Sequence, residues 1–169
     1  KTFYSNGHYD KTGLFGEQLF SKGGKYLTIT EGECDAMAVY EMFKGNWSVV
    51  SLKRGAASAV RDIRESIEFV ESYDAVVLCF DADKQGREAA KSVAKVLKPN
   101  KTKIMTLPHG FKDANDMLKS KAFKEFNKAF WDAKIYTPSG ILELSSKKDE
   151  WLHREVKKSG AYPWEGLNK

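Results

Sequence analysis

Residues 76–90 read VVLCFDADKQGREAA. The first five are an unbroken apolar run, and the character then changes at once. Two aspartates stand one residue apart, a lysine and a glycine follow, and Arg87-Glu88-Ala89-Ala90 begins a helix-forming stretch. A short apolar run bounded by turn residues reads as a strand buried on both faces. A strand that passes through a tight turn into a helix is the repeating unit of a parallel α/β sheet.

The same alternation recurs along the chain. Strand-like runs fall at 26–30 (YLTIT), 47–52 (WSVVSL), 75–80 (AVVLCF) and 102–107 (TKIMTL), with helical patterns between them over 33–44, 57–71 and 84–98. Pro108 and Gly110 punctuate the chain after the fourth run, helices are expected over 114–120 and 121–133, and 135–142 reads as a connector. The fold class is therefore α/β: a mainly parallel sheet of about four strands flanked by helices, with a C-terminal linker helix. That last helix is read from LSSKKDEWLHREVKKSG (144–160), where Ser146 and Asp149 have capping-box spacing and Lys157, Lys158 and Gly160 suit a helix end. Its thin apolar stripe (Leu144, Trp151, Leu152, Val156) fits a loosely docked helix or one that docks on another domain or subunit.

Composition narrows the class. The chain has 169 residues, 41% hydrophobic and 30% charged, with a net charge of +5, enough for one domain with a real core. No apolar run approaches the roughly 18 residues of a membrane span and no signal peptide is seen, so a cytoplasmic protein is expected. Cys34 and Cys79 form no CxxC, and there are three histidines, a poor basis for structural zinc. The opening KTFYSNG lacks a Met and reads as the interior of a longer protein. The positive charge favours acidic partners such as nucleotides or nucleic acid.

Acids collect where strands end. Glu31 follows the first run, Asp81 and Asp83 the third, and Lys112-Asp113-Ala114-Asn115-Asp116 the fourth. In an open α/β sheet, reactive groups gather beyond the carboxyl ends of the strands. Two carboxylates about 4 Å apart at an effective dielectric of 20 repel by roughly 4 kcal/mol. A divalent cation offsets this, as does a raised pKa on one carboxyl. The competing explanation is helix capping. Asp83 and Asp113 stand where N-caps belong, and Glu33 and Asp35 suit the first turn of a helix. Spacing alone leaves both open.

Three stretches taken together, TEGECDA (30–36), FDADKQGR (80–87) and KDAND (112–116), resemble the acidic motifs of the Toprim domain. That domain is the catalytic core of bacterial-type primases, topoisomerases, recombination mediators and some nucleases. The chain is similar in particular to bacteriophage bifunctional primase-helicases and their mitochondrial helicase relatives, in GLFGEQLF (13–20), VVSLKRGAAS (49–58), KDAND and GAYPWEGLNK (160–169). The resemblance implies a DNA primase that joins ribonucleoside triphosphates on a single-stranded DNA template. It implies Glu31, Asp81 and Asp83 as catalytic residues and ligands of Mg²⁺ (or Mn²⁺), with Asp113 and Asp35 as further ligands and Glu31 alternatively a general base. Lys112, Arg54 and Arg87 would contact phosphates or template. Residues 1–25 would end an N-terminal primase subdomain, 26–134 would be the Toprim subdomain, and 135–169 would lead to a helicase domain. The helix at 143–158 would contact a neighbouring subunit of a hexameric or heptameric ring, in the cytoplasm of the host. The zinc-binding template reader and the helicase phosphate loop have no counterpart among these residues. Two other readings share the motifs: a Toprim nuclease, and a non-catalytic module for ring assembly. A topoisomerase would need a catalytic tyrosine from another domain.

Lys84, Arg87, Lys91, Lys95 and Lys98 recur at helical spacing and form one basic face, with Ala89, Ala90, Val93, Val96 and Leu97 on or near the opposite side. Lys84, Lys91 and Lys95 are candidates for contact with a nucleic-acid backbone, with an ordinary solvated helix face as the alternative.

Overall fold

The computed structural model describes residues 12–138. The linker helix expected over 143–158, the ring contact and the tail at 160–169 lie outside the described residues.

Five strands form one sheet in the order β2-β1-β3-β4-β5. They are β1 (Gly24–Thr30), β2 (Ser48–Ser51), β3 (Tyr73–Cys79), β4 (Thr102–Ile104) and β5 (Lys134–Ile135). The first four are mutually parallel, and β5 returns antiparallel along β4, with Lys103 opposite Ile135 and Ile104 opposite Lys134. The sheet thus has one strand more than the expected four. Two residues carry no periodicity, and β5 exists only because the chain after the last helix lies against β4, where the Tyr136 N–H also donates to Thr102 O at 2.8 Å.

The helices are α1 (Glu33–Met42), α2 (Ala59–Glu65), α3 (Ile67–Glu71), α4 (Lys84–Ala94), α5 (Ala114–Lys119) and α6 (Phe123–Trp131). Side chains alternate across a strand, and here the alternation feeds two cores. Leu27, Ile29, Val50, Val76 and Leu78 pack with Ile63, Phe69 and Val93 beneath α2, α3 and α4. On the other face Val49, Val77 and Cys79 pack with Val39, Met117, Phe126 and Phe130 beneath α1, α5 and α6. Burial on both faces is what near-continuous apolar strands require.

Two expected helices are shorter. The pattern over 57–71 is broken at Ser66 (φ −110°, ψ 21°), between α2 and α3. Ser66 Oγ donates to Glu17 Oε2 at 2.7 Å, a residue in the segment before β1. That segment joins the β2 edge through paired Phe15–Ser51 backbone bonds. The expected helix 84–98 ends at Ala94, with Lys95 as its C-cap. Lys98 lies beyond the helix, 3.7 Å from Glu71. The basic run is therefore continuous in sequence but not on one helical face.

Candidate metal centre at the carboxyl edge of the sheet

β1, β2 and β3 all run towards the same edge, so the residues after them gather there. Glu31 leaves β1, and Gly32 is the N-cap of α1. Its Oε1 accepts the Ala56 N–H at 3.4 Å, while its Oε2 is buried with no hydrogen-bond partner among the described residues. Burial, then Asp81 and, more weakly, Asp83 push the Glu31 carboxyl above the usual range, against the Ala56 and Asp81 backbone N–H groups.

Asp81 follows β3. Burial raises its carboxyl, Lys112 at 3.7 Å opposes that rise, and Asp113 and Asp83 add to it. Lys112 comes from the loop before α5, and its carbonyl accepts the Ala82 N–H at 2.8 Å, which stitches the two loops together. Asp35, in the first turn of α1, is pushed up to about 6, first by burial and then by Asp113, Asp81 and Asp116, while its bond from the Asn115 N–H (3.0 Å) pulls the other way. Buried Cys79 beneath the edge registers the same field: burial raises its thiol, and Asp35, Asp81 and Asp113 raise it further.

Asp83 and Asp113 are indeed N-caps. Asp83 Oδ1 accepts the Gly86 N–H, and Asp113 Oδ1 accepts the Asp116 N–H, each at 2.8 Å. Capping and membership of the acidic group turn out not to be alternatives. A cap uses one carboxylate oxygen and fixes where the charge stands.

Gly86 has a second role that the pattern did not reveal. A Cβ there would lie 2.4 Å from Asp81 O and 2.9 Å from Asp81 N. The glycine lets the first turn of α4 rest on the backbone that carries Asp81. Gly55 serves the other side, with φ 72° and ψ −168°, a region essentially confined to glycine. The turn it permits presents the Ala56 N–H to Glu31.

Other anchors of that loop were also missed from sequence. Asp62, fully buried, accepts the Lys53 N–H (3.0 Å) and the Ser58 hydroxyl (3.1 Å) and stands 3.9 Å from Arg54 Nη1. The Lys53 ammonium is itself buried, bonded to Thr12 O (2.7 Å) and Glu65 (2.5 Å). An acid inside a helical pattern looks solvent-facing, so the sequence offered no signal for Asp62. Of the three expected phosphate contacts, Lys112 stands at the acidic edge, Arg54 is held beside Asp62, and Arg87 donates to Ala82 O. Lys84, Lys91 and Lys95 are exposed.

Residues 28–118 match the family model described as Toprim-like. The chain belongs to this Toprim-like family. Over 149 residues it is 34% identical to the DNA helicase/primase of Enterobacteria phage T3, an alignment that spans 88% of this chain and 26% of that relative. The match therefore spans about a quarter of that relative's length. The primase fragment of the bacteriophage T7 primase-helicase aligns over 78% of this chain and 53% of its own, at TM-score 0.70 and 34% identity. The T7 primase domain complexed with lagging-strand DNA polymerase, an RNA/DNA hybrid and dTTP aligns over 80% of this chain and 68% of its own, at TM-score 0.73 and 32% identity.

Among the described residues, no three Asp, Glu, His or Cys donors stand close enough to enclose a metal ion unaided. The orphaned Glu31 Oε2 and the raised carboxyls of Glu31, Asp81 and Asp35 mark a cluster that a divalent cation would stabilise.

Proposed function

We propose that this chain is the catalytic Toprim part of a DNA primase of the phage primase-helicase type. It would join ribonucleoside triphosphates on a single-stranded DNA template with pyrophosphate as leaving group. The observation that carries this is the acidic edge, in which Glu31 Oε2 is buried without a partner while neighbouring carboxyls are destabilised by burial and by one another. The likeness to the T3 and T7 proteins supports it.

Glu31 and Asp81, with Asp83, Asp35 and Asp113 around them, would hold Mg²⁺ or Mn²⁺. A cation bound there supplies charge neutralisation to the reacting phosphates. Alternatively, Glu31 would accept the proton of the attacking 3′-hydroxyl, a role supported by the raised pKa of its carboxyl, which brings it nearer to the working pH of a base. Lys112 would reach phosphate from beside Asp81, and Arg54 would be oriented by Asp62. The linker at 135–169, docking of 143–158 on a neighbouring ring subunit, the subdomain before residue 26 and a location in the host cytoplasm belong to the same reading. No described helix is long and apolar enough to cross a membrane.

The test is Mg²⁺-dependent primer synthesis from ribonucleotides on single-stranded DNA by the full-length polypeptide. Glu31→Gln and Asp81→Asn should each lower the rate at least about a hundredfold, the scale of one lost electrostatic or acid–base contribution, while circular dichroism stays native. Primer synthesis that survives both substitutions would refute the reading. Cutting of the template without primers would replace it by a hydrolytic one.

A further inference from the structure

A groove of about 390 Å³ opens beside Asp81, between the N-terminal half of α4 and the segment from Ile104 to Phe111. Its size falls within the roughly 300–1,000 Å³ of small-molecule sites. The floor is apolar. Phe80 and Ala90 are buried beneath it, and Ile104, Pro108 and Phe111 are half-exposed along it. Arg87 and Lys91, one helical turn apart on the same side of α4, line one wall, and His109 stands on the opposite loop. Asp81 is the one carboxylate among the described lining residues.

The cations of the basic run are engaged unequally. Lys84 pairs with Glu88 at 3.9 Å and Lys98 with Glu71 at 3.7 Å. Arg87 gives one N–H to Ala82 O and retains the rest of its five donors. Lys91 has no ion-pair partner among the described residues. Lys95 likewise has no ion-pair partner among the described residues but does not line the groove, so Arg87 and Lys91 are the cations of the run that face it.

We propose that this groove is a nucleoside-phosphate subsite, with the base on the apolar floor and the phosphates facing Arg87 and Lys91 on their way to the edge at Asp81. The assignment rests on the nucleotidyl-transfer reading above. Three features fit this ligand together: an apolar floor suits a base face, two cations suit phosphate, and the lining includes Asp81 of the acidic edge. The same chemistry could arrive as a free triphosphate or as the terminal residue of a strand.

Binding of mant-labelled ATP to the full chain, in Mg²⁺ buffer and again in EDTA, tests it. Lys91→Glu should weaken binding about tenfold in both buffers, and so should Thr106→Trp, which fills the groove from an exposed position. Lys124→Glu makes the same charge change on the exposed face of α6, outside the groove, and should stay within about twofold. Displacement of the label by a short oligoribonucleotide would show that a strand terminus enters the groove; resistance to it would assign the groove to the free triphosphate. Wild-type affinity in both groove variants, or an equal loss in Lys124→Glu, would overturn the subsite. A protein that makes no primers yet loses mant-ATP on both groove substitutions would keep the subsite and refute only the primer-synthesis reading.

Discussion

Replacing Gly86 by Ala sets two magnitudes against each other. Gly86 lies inside α4, where Ala is better than Gly by about 0.8–1.0 kcal/mol of helix propensity. If the glycine were incidental, the substitution would stabilise the protein by that amount. The new Cβ, however, would stand 2.4 Å from Asp81 O, 2.9 Å from Asp81 N and 3.0 Å from Asp81 C. Unstrained contacts between such atoms begin near 3.5 Å, so backbone on one side must move by about 1 Å. Overpacking of this kind costs about 1–3 kcal/mol, which outweighs the propensity gain at all but its lower end. The expected net loss runs from near zero to about 2 kcal/mol, or up to roughly 8 °C in Tm for a chain of this size. The displaced backbone carries Asp81, and misplacing a reacting group by 1 Å costs about a hundredfold in rate. Thermal unfolding and primer synthesis should therefore both fall, the second far more than the first. A Tm equal to or above wild type with activity within about threefold would refute the reasoning.

Gly55→Ala forces a side chain into φ 72°, ψ −168°, a strain of about 1–3 kcal/mol; relaxation should withdraw the Ala56 N–H from Glu31 and weaken Mg²⁺ binding, measured by calorimetry, and unchanged affinity would show that this bond does not matter. Asp62→Asn leaves the Lys53 N–H, Ser58 and Arg54 facing an amide and should cost about 1.5–3 kcal/mol in urea unfolding, a loss that Asp62→Glu would not be expected to recover in so tightly buried a place. Asp35 gives a pH prediction. Its carboxyl is pushed up to about 6, so the folded state holds the proton more tightly than the unfolded chain, and the stability this contributes is complete below about pH 4 and lost as pH rises through about 6. In EDTA, the Tm of Asp35→Asn relative to wild type should therefore climb between these limits, whereas a pH-independent difference would contradict the shift. Mg²⁺ binding by the wild type should tighten over the same interval, because the ligand must be ionised.

Much of the fold was legible because its signals are local. Apolar runs of five or six residues, each followed by a turn and a helical pattern, can be read without knowing what they touch, and four parallel strands resulted. The acids after β1, β3 and β4 were legible for the same reason, since a parallel sheet must deliver its strand ends to one edge. What escaped were features made by residues distant in sequence. The break at Ser66 is tied to Glu17, β5 exists through pairing with β4, and the run 84–98 stops at Ala94 although its periodicity continues.

The sequence by itself determined which residue types stand at the ends of which strands, and so the acidic character of the edge. Tertiary structure alone decided how each carboxylate is used. Asp83 and Asp113 each give one oxygen to a helix cap, Glu31 keeps a buried oxygen without a partner, and Asp81 is balanced by a lysine from another loop. It also decided that Gly86 is needed for contact rather than for a turn, and that an aspartate within a helix, Asp62, anchors the loop facing Glu31. The physical reason is common to all of these. Periodicity records which face of an element is buried, while the charge state and hydrogen bonding of a group depend on partners that the chain brings within a few ångströms only when it closes on itself.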